Sequence, residues 1–478
     1  MPFLPVPLWT DVLLWLLVIT IAGYASYCLR RPHLAAPWRR VFLSPAAMVT
    51  AVVLAAYLII GLADSLHFRV RLPAEPDKPA AYGVKVLSVL DLALVHLREQ
   101  VEKTYSAPFA TRLYSREQVE LPDGRVTREF PRLVYGGAHL KDERGRGPDI
   151  ARRGAAAMLG AVLAWLAIAA LVSVAVSPAR ERTFSRRWRA LWRAETGLPW
   201  RAALVTLLIL MLALTPLFTL SGQYHVLGTD KVGLDVFYLS LKSVRTSLVI
   251  GLLTTLVMLP LGVLAGIASG YFRGWVDDAI QYLYTTLNSI PAVLLIAATV
   301  LMMQVYIDTH PDMFPTAEQR ADLRLLFLCV ILGLTSWTGL ARLLRGESLK
   351  LSGLEYIQAA HAFGVSDTRI LGRHILPNVS HIVIIAMVMD FSGLVLAEAV
   401  LSYVGVGVDP STTSFGTMIN SARLEMAREP MIWWSLASAF VFMFVLVLAA
   451  NLFADAVRDG FDPRVRVGAL PAARGSAA

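Results

Sequence analysis

Two carboxylates and three histidines are the side chains whose type and spacing suggest chemistry in this sequence. Asp390 and Glu398 lie in one apolar stretch, and paired carboxylates can act as a general acid and a general base. No positioned nucleophile or third orienting group accompanies them. His361, His374 and His381 follow one another at spacings of 13 and 7 residues, which is a weak pattern for a metal site. We therefore predict no catalytic residues and no metal site.

The two carboxylates allow interpretations other than catalysis. Glu398 can line a transport pathway, or it can be a carboxylate near a helix end that bonds to the loop 405–411. For Asp390, near the middle of its apolar stretch, we expect a buried partner or a protonated carboxyl that hydrogen-bonds between helices. The sequence also lacks the Gly-x-x-x-x-Gly-Lys-Ser/Thr loop that cradles nucleotide phosphates, so the chain is not predicted to be its own ATPase.

The composition is that of a membrane protein. Of the 478 residues, 56% are hydrophobic and 17% are charged, and the mean hydropathy is +0.58. Soluble proteins carry about 25% charged residues, so a cytosolic enzyme, a disordered scaffold and a disulfide-stapled secreted domain are excluded. Cys28 and Cys329 both lie in apolar runs, which leaves no disulfide framework or cysteine metal site.

Nine apolar runs predict membrane-spanning helices, because a span needs about 20 mostly apolar residues. They are Leu8–Cys28, Val41–Ala63, Ala155–Val176, Ala202–Leu220, Ser247–Ser269, Ile290–Met303, Leu325–Leu340, Val379–Leu401 and Met431–Phe453. The Ile290 run is short, and the uncharged residues Ala279–Leu287 can extend it. No lysine or arginine precedes the first run, so we expect a retained helix rather than a cleaved signal peptide. The sequence thus predicts an all-α, multi-pass membrane protein.

Basic residues in the loops predict the orientation of these helices. Four segments carry an excess of them, and all four fall on one side if the nine runs alternate across the membrane. The residues are Arg30, Arg31, Arg39 and Arg40; Arg180, Arg182, Arg186, Arg187, Arg189, Arg193 and Arg201; Arg342, Arg345, Lys350, Arg369 and Arg373; and Arg458, Arg464 and Arg466. That side is predicted to be cytoplasmic, with the amino terminus outside and the carboxyl terminus inside. The net charge of +9 then needs no nucleic acid as a partner.

Residues 64–153 are predicted to form a small extracytoplasmic α+β insertion. Apolar residues recur at helical spacing within Val84–Tyr105. Arg112–Tyr135 is typical of two strands joined at Leu121-Pro122-Asp123-Gly124, since Asp-Gly suits a tight hairpin. The insertion can be purely structural, or it can dock a binding protein.

The longest patterned loop, residues 342–378, is predicted to contain two short helices and is called the coupling loop below. Ser352 and Glu355 fit a capping box, followed by a helix over Tyr356–Phe363. Gly364 can adopt the left-handed conformation that ends a helix. Ser366 can cap the second helix, with Asp367 at its positive end, and Pro377 is expected to stop it. An amphipathic connector lying on the membrane surface is the alternative interpretation.

Glycines in the fifth apolar run predict close contact between two helices. Gly262, Gly266 and Gly270 form consecutive Gly-x-x-x-Gly steps. This spacing places the three glycines on one helix face, where a neighbouring helix can approach closely.

The coupling loop resembles the "EAA" loop of ABC importer permeases. The matching residues are Gln358-Ala359-Ala360, then Gly364 after three residues, then His374-Ile375-Leu376-Pro377 after nine more. Two further stretches, His225–Asp235 and Glu398–Pro410 followed by Ser414-Phe415-Gly416, are similar to the dipeptide/oligopeptide/nickel branch, specifically its second (C-type) permease. The resemblance covers roughly Ala202–Arg464, a six-helix core, and leaves the first 200 residues as an extension with three extra spans.

The resemblance implies roles for two sets of residues. Those that would couple to a partner ATPase are Glu355, Gln358, Ala359, Ala360, Gly364, His374, Leu376 and Pro377. Those that would line the translocation pathway or contact a binding protein are Gly228, Thr229, Asp230, Asp235, Glu398, Gly405, Gly407 and Pro410. The sequence departs from the family where Gln358 replaces glutamate, and where Leu354 and Leu234 each replace an arginine.

The resemblance also implies partners and a domain organisation. The partners are a homologous permease subunit, two ATPase subunits that hold ATP and Mg²⁺, an extracytoplasmic substrate-binding protein and the lipid bilayer of a bacterial inner membrane, with no cofactor on this chain. The segments are two amino-terminal helices (1–63), the insertion (64–153), a third helix with a basic loop (154–201), the permease core (202–465) and a tail (466–478).

Three functions follow from these observations. The first is an importer permease for dipeptides, longer peptides, peptide-linked antibiotics or chelated nickel. The second is a transporter driven by an ion gradient, for which Asp390 with Pro260 or Pro291 is the only support. The third is a membrane-anchored receptor whose outer insertion senses a ligand.

Overall fold

The computed structural model describes residues 3–71, 82–120, 126–176, 183–193, 197–310, 314 and 316–461, most of which are helical. The helices are α1 (Trp9–Leu29), α2 (Pro32–Leu43), α3 (Pro45–Asp64), α4 (Val89–Ala93), α5 (Val95–Glu99), α6 (Arg146–Val176), α7 (Phe184–Trp192), α8 (Trp200–Leu220), α9 (Val236–Phe272), α10 (Gly274–Ser289), α11 (Ala292–Thr309), α12 (Ala317–Ser352), α13 (Glu355–Ala362), α14 (Asp367–Ile370), α15 (Leu376–Val404), α16 (Phe415–Glu425) and α17 (Trp434–Phe461). The strands are β1 (Phe3–Pro5), β2 (His67–Val70), β3 (Leu87–Ser88), β4 (Glu117–Glu120) and β5 (Val126–Glu129).

Within the described residues, nine helices are long and apolar enough to cross a membrane: α1, α3, α6, α8, α9, α11, α12, α15 and α17. Each overlaps one of the nine predicted apolar runs, so the predicted all-α, multi-pass architecture is confirmed. Helices α9 and α12 have 37 and 36 residues and extend beyond the apolar runs that predicted them. Their polar ends lengthen them well past the roughly 20 residues that a membrane requires.

Two predicted runs are divided by prolines. Val41 belongs to α2, and α3 starts only at Pro45, after Ser44 in an extended conformation. The second divided run is the Ile290 run, for which the predicted extension over Ala279–Leu287 is wrong. Residues 279–287 lie in the separate helix α10, and α11 starts after Ile290, which is extended, and Pro291. Both breaks follow from the steric bias of a residue before proline against helical geometry.

The chain contains two compact units. The first consists of Met1–Asp11, Met48–Leu248 and Glu398–Ala449, and the second consists of Val12–Ala47, Val249–Ala397 and Ala450–Ala478. The first unit holds all the strands and the second holds the coupling loop.

In the first unit, the insertion has the predicted α+β character. Strands β1, β2 and β3 form an antiparallel sheet in that order, so the extreme amino-terminal strand pairs with the start of the insertion. Strands β4 and β5 pair antiparallel as predicted, whereas their turn at 121–124 lies outside the described residues. The helical spacing over Val84–Tyr105 corresponds to two short helices, α4 and α5, rather than one.

Leucines of these short helices fix the insertion to a long helix of the same unit. Leu90, Leu94 and Leu97 are buried against Phe237 and Leu241 at the start of α9. Helix α4 is held by a capping box in which Ser88 and Asp91 bond each other's backbone N–H groups. The insertion is therefore packed against the start of α9.

In the second unit, the glycine pattern of α9 is used for helix packing, as predicted. A Cβ atom at Gly262 would lie 2.9 Å from the Leu340 side chain. One at Gly266 would lie 2.7 Å from the Ala341 carbonyl oxygen, and one at Gly270 would lie 2.6 Å from the Arg345 carbonyl oxygen. Helix α12 thus approaches the backbone of α9 along two turns, which requires residues without side chains.

Candidate functional site

Helix α13 of the coupling loop is anchored by one buried side chain. Ile357 is 2% exposed and belongs to a cluster with Ile267, Leu340, Leu344, Ile370, Ile375 and Val379. This cluster joins α13 to α9, α12, the residues after Gly364 and the start of α15. A short helix held at its inner face in this way keeps its position although eight residues alone would not be stable.

The opposite face of α13 is open to solvent. Glu355, Gln358 and Ala359 are exposed, Ala360 is partly buried, and the Phe363 side chain after the helix is 88% exposed. An alanine in this position lets another protein approach the helix backbone closely. Phe363 adds a large, exposed apolar side chain beside this helix.

Gly364 ends α13 as the sequence predicts. Its φ is +75°, and its N–H donates to the His361 carbonyl while the next N–H, of Val365, donates to the Ala360 carbonyl. These two bonds form a Schellman motif, which needs a left-handed residue at this position. No atom lies within 4 Å of where a Cβ would be, so the constraint on Gly364 is its backbone conformation alone.

The two predicted side-chain caps of the coupling loop are wrong. Ser352 is the last residue of α12, where its hydroxyl donates to the Leu349 carbonyl and accepts from Arg273. Helix α13 therefore starts at Glu355 behind Leu354, without a side-chain cap. Ser366 does stand before α14 but makes no capping bond there. The long helix α12 runs about three turns beyond Leu340, where its apolar run ends, and this extension takes Ser352 out of the capping position.

Pro377 does not stop a helix either. The chain stays helical from α14 through a π-helical turn, Leu371–Ile375, into α15, whose second residue is Pro377. A proline lacks the N–H for a normal helical bond and clashes with the carbonyl four residues back, and the wider π turn directly before it removes that conflict. His374 lies in this turn, and its carbonyl accepts a 2.6 Å bond from the Asn378 amide. The coupling loop therefore contains one separate short helix, α13. The residues from Asp367 onwards form a continuous helical segment that leads into α15.

Polar contacts within the second unit hold the coupling loop to α9 and α10. Tyr271 donates to Asp367 at 2.7 Å. Arg345 donates to both oxygens of Asp277, at 2.7 and 2.6 Å, and Ser269 donates to the same carboxylate at 2.6 Å. The bidentate bonds with Arg345 lower the pKa of Asp277 to about 2. This carboxylate stays ionised, so the clamp between α10 and the end of α12 persists at physiological pH.

Glu398, in the first unit, bonds to the loop beyond α15. Its side chain is buried, and its Oε1 accepts from the Ser402 hydroxyl at 2.7 Å and from the Ser414 hydroxyl at 2.9 Å. Ser414 also caps α16 in a capping box with Thr417. Of the two interpretations of Glu398, the structure agrees with the carboxylate that holds a loop, although Ser414 rather than residues 405–411 supplies the bond. Asp390, in the second unit, has no hydrogen-bond or ion-pair partner among the described residues.

The loop 405–414 folds back on the end of α15. Gly405 has φ +87° and ends α15, and the next N–H, of Val406, donates to the Leu401 carbonyl. A Cβ at Gly407 would collide with Ser402, so this glycine is required by close approach. Gly405 and Pro410 are exposed. The loop 405–414 therefore exposes Gly405 and Pro410 to solvent while Gly407 packs closely against Ser402 at the end of α15.

The stretch from Gly228 to Asp235 is mostly internal. Gly228, Thr229 and Asp235 are buried, and the Thr229 carbonyl accepts from the Trp434 indole N–H at 3.0 Å. Asp230 is partly buried, and burial raises its pKa although the backbone N–H groups of Val232 and Leu234 donate to it. Of the four residues singled out here by sequence, only Asp230 has surface that a ligand or partner can reach.

Sequence reasoning missed a buried charge cluster next to this stretch. His225 lies 2.8 Å from Asp235 and 3.4 Å from Glu102 of the insertion, and Glu102 accepts from the backbone N–H groups of residues 134–136. Burial lowers the pKa of His225, but its bonds to the two carboxylates outweigh burial and raise it to about 9. Burial likewise raises the pKa of Glu102, but the bonds from His225 and the backbone bring it down to about 2.

Two further ion clusters join the amino-terminal extension to α9. Lys242 donates to Asp64 at 2.6 Å and to Asp91 at 3.2 Å. Arg245 donates to Asp11, whose other oxygen bonds His67 at 2.7 Å. Two cations directly before an apolar run are a sequence signal for such pairing, but the sequence does not identify partners more than 150 residues away.

No group of three histidine, cysteine, aspartate or glutamate side chains among the described residues could hold a metal ion. In particular, His361, His374 and His381 do not form such a group.

Comparison with known proteins gives one consistent result. Residues 258–467 match the family described as "Binding-protein-dependent transport system inner membrane component". The chain is 31% identical over 278 residues to the oligopeptide transport system permease protein OppC of Mycobacterium tuberculosis, which covers 55% of this chain and 89% of that protein. It is 30% identical over 307 residues to the glutathione transport system permease protein GsiD of Pectobacterium atrosepticum (60% and 94%), and 31% identical over 240 residues to the dipeptide transport system permease protein DppC of Lactococcus lactis (50% and 64%).

Proposed function

The chain belongs to the family of inner-membrane permease components of binding-protein-dependent, ATP-driven transport systems, and from this premise we propose that it imports peptides or peptide-like cargo. It is a transport subunit rather than an enzyme. The relatives named above are permease proteins of oligopeptide, glutathione and dipeptide transport systems. The similarity of the chain to several such permeases supports this cargo class.

The coupling loop is the proposed contact with a separate ATPase subunit. The supporting observation is the division of α13 into a face anchored by Ile357 and an exposed face that carries Gln358, Ala359 and Phe363. A partner that moves this exposed face moves α9, α12 and α15 with it, because the same buried cluster contacts all three helices. The residues assigned to this contact remain Glu355, Gln358, Ala359, Ala360, Gly364, His374, Leu376 and Pro377.

ATP would drive the conformational change from outside this chain. Two ATPase subunits that hold ATP and Mg²⁺ would close on each other and carry the docked loops of this chain and of a homologous permease. A rigid-body rotation of helices then switches the pathway between its two openings, and the difference in ATP affinity between the two arrangements supplies the free energy. In this proposal the core comprises residues 202–465.

The proposed orientation places the coupling loop in the cytoplasm and the insertion outside. The exposed edge at Gly405 and Pro410, together with Asp230, is then available to an extracytoplasmic binding protein or to cargo that it releases. The amino terminus would be outside and the carboxyl terminus inside.

Cysteine labelling tests the orientation and the coupling contact together. The native Cys28 and Cys329 are buried, so a membrane-impermeant thiol reagent should leave them unmodified. We expect Phe363→Cys to be labelled only from the cytoplasmic side and to crosslink to the ATPase subunit. The exposed Lys231→Cys is the matched control, which should be labelled only from outside and should not crosslink to the ATPase.

Transport by the reconstituted complex separates the proposed function from its rivals. In liposomes with the second permease, the two ATPases and the binding protein, peptide uptake should require ATP. Peptide uptake by this chain alone under a proton gradient would establish the ion-driven transporter and overturn the proposal. A ligand that changes the conformation of the insertion, in a complex that shows no ATP-dependent peptide uptake, would instead support the receptor.

A further inference from the structure

The first unit contains a cavity of about 430 Å³ at the edge of the loop 405–414. It lies between α16, this loop and the insertion, and its lining includes Tyr105, Lys231, Pro410, Asn420, Glu425 and Arg428. Cavities that bind small molecules have volumes of about 300–1,000 Å³, so this one can hold a short peptide.

One carboxylate of this cavity is buried and only half satisfied. The side chain of Glu425 is 3% exposed, and its Oε1 accepts a 3.0 Å bond from the Tyr105 hydroxyl. Its Oε2 is buried and has no hydrogen-bond partner among the described residues. An unpaired carboxylate oxygen in such a place is costly, and a positively charged donor is the partner that offsets most of that cost. Burial raises the pKa of Glu425, as expected for a carboxyl that lacks such a donor.

Two cations lie on the same cavity. The Arg428 guanidinium lies over the Tyr105 ring, 5.5 Å from its centre, and lines the cavity together with Glu425. Lys231 is exposed and lines both this cavity and a neighbouring one of about 220 Å³ that also contains Asp230 and Glu425. Among the charged side chains that line the larger cavity, Glu425 is the carboxylate and Lys231 and Arg428 are the cations, whereas Asp230 lines the neighbouring cavity. A ligand with one positive and one negative end matches this arrangement better than a simple cation or anion.

We propose that this cavity binds the termini of a zwitterionic peptide, with the peptide ammonium group on Glu425 and the peptide carboxylate on Arg428 and Lys231. This inference rests on the proposed function, because it assumes peptide cargo, and it adds the site at which the permease itself recognises that cargo. Asn420 lines the same cavity and offers an amide that can bond the peptide backbone. Recognition of both ends would let the permease accept different side chains while requiring free termini.

Photolabelling of the purified complex tests this site without the binding protein, which also selects peptides. A dipeptide with free termini that carries a diazirine side chain is irradiated with the complex in nanodiscs, and mass spectrometry locates the adduct. We expect adducts at Tyr105, at Lys231 or within residues 402–428. An unlabelled free dipeptide should compete about tenfold better than its N-acetylated form, since acetylation removes one charge-assisted bond.

Glu425→Gln should remove this discrimination, so that free and N-acetylated dipeptides compete equally. The exposed Glu429→Gln on the same segment is the matched control and should keep the tenfold preference. Arg428→Gln should instead remove the preference for a free carboxylate over a carboxyl-terminal amide. If Glu425→Gln disturbs folding, Tyr105→Phe provides a milder variant that frees Oε1 and should shift the discrimination without abolishing labelling.

Three results would overturn the inference: adducts only elsewhere, discrimination unchanged in Glu425→Gln, or weaker docking of the binding protein in Glu425→Gln without any peptide adduct. The last result would identify a lysine of the binding protein as the partner of Glu425. ATP-dependent peptide uptake by the unaltered complex is measured in parallel. Uptake without labelling contradicts the cavity alone, whereas labelling without uptake contradicts the proposed function.

Discussion

At the scale of single residues, Ser414 shows how one hydroxyl can serve two buried structures. It caps α16 through the N–H of Thr417, and it donates to Glu398 in the preceding helix. Glu398 Oε2 has no hydrogen-bond partner among the described residues. The buried carboxyl is therefore held by the two bonds that its Oε1 accepts from Ser402 and Ser414. The loop 405–414, which lies between these helices, is therefore fixed at both ends by hydrogen bonds to side chains.

Ser414→Ala should lower the stability of the permease measurably. The variant loses the helix cap, worth about 1 kcal/mol, and removes one donor from a buried carboxyl, which costs about 1–3 kcal/mol more. Thermal unfolding of the purified protein measures the change. Ser411→Ala is the control, because Ser411 is exposed and its hydroxyl bonds only Asp409. Equal unfolding temperatures for the two variants would contradict the role of Ser414.

His225 predicts a pH dependence of stability. Its pKa of about 9 in the folded protein lies above the ordinary value of 6.5, so its contribution is complete below about pH 6.5 and is lost as the pH rises through 9. Glu102, with a folded pKa of about 2 against 4.5, contributes fully above about pH 4.5 and loses this contribution as the pH falls towards 2. Stability from this cluster should therefore be greatest between about pH 4.5 and 6.5.

The change between pH 6.5 and 9 should reach at most about 3–4 kcal/mol, at about 1.4 kcal/mol per pKa unit. Unfolding curves at several pH values measure it, and proteolysis of the insertion provides a second readout. In His225→Asn the decrease above pH 6.5 should disappear, whereas the exposed His361→Gln should retain it. A decrease of the same size in His225→Asn would assign the pH dependence to another group.

At the scale of elements, the coupling loop depends on one left-handed residue between two helical segments. The Schellman bonds at Gly364 turn the chain from α13 towards α14, and Ile357 and Ile370 on the two sides of the turn share one buried cluster. A change at Gly364 should therefore alter the angle between α13 and α14 more than it alters the packing of the membrane helices.

Gly364→Val should abolish most ATP-dependent uptake, whereas Gly364→Asn should keep a substantial part. A residue with a Cβ in the left-handed conformation costs about 1–2 kcal/mol, and asparagine tolerates it best. Since no atom would touch the new Cβ, the protein should still reach the membrane in normal amounts. Gly353→Ala is the control, because Gly353 has φ −83° and should accept alanine. Normal uptake by Gly364→Val would contradict the coupling mechanism.

The coupling loop also shows which features the sequence predicts and which it does not. Gly364, the helix over Tyr356–Phe363 and the Gly262–Gly270 packing follow from local geometry, which the sequence encodes directly. The roles of Ser352 and Pro377 depend on where the neighbouring helices α12 and α14 end, and that is decided by tertiary contacts such as Arg273 with Ser352. The cavity around Glu425 combines residues from three distant segments, so no spacing in the sequence predicts it.

At the scale of the whole molecule, the amino-terminal extension and α9 are joined by charge. Lys242 and Arg245 lie within a helix that is apolar enough to span a membrane, and their carboxylate partners come from α1, α3 and the insertion. A buried ion pair is weak as a source of net stability, but the loss of one partner leaves a charge without compensation.

Asp11→Asn should therefore destabilise the permease by about 3–5 kcal/mol. The double variant Asp11→Asn with Arg245→Met should recover much of this loss, since no lone cation remains. Thermal unfolding of the two single variants and the double variant gives the coupling energy. Asp142→Asn, at an exposed position, is the control and should change little. Additive effects in the double variant would rule out a direct interaction.

The pairing of Lys242 and Arg245 limits how far this protein can be trimmed. A chain without its first 200 residues would keep both basic residues and lose Asp11, Asp64 and Asp91, so two largely buried positive charges would lose their carboxylate partners. Carboxylates from the first 200 residues therefore act as counterions for Lys242 and Arg245 within the same chain. An engineer who wants a minimal transporter must either retain them or replace both basic residues with uncharged ones.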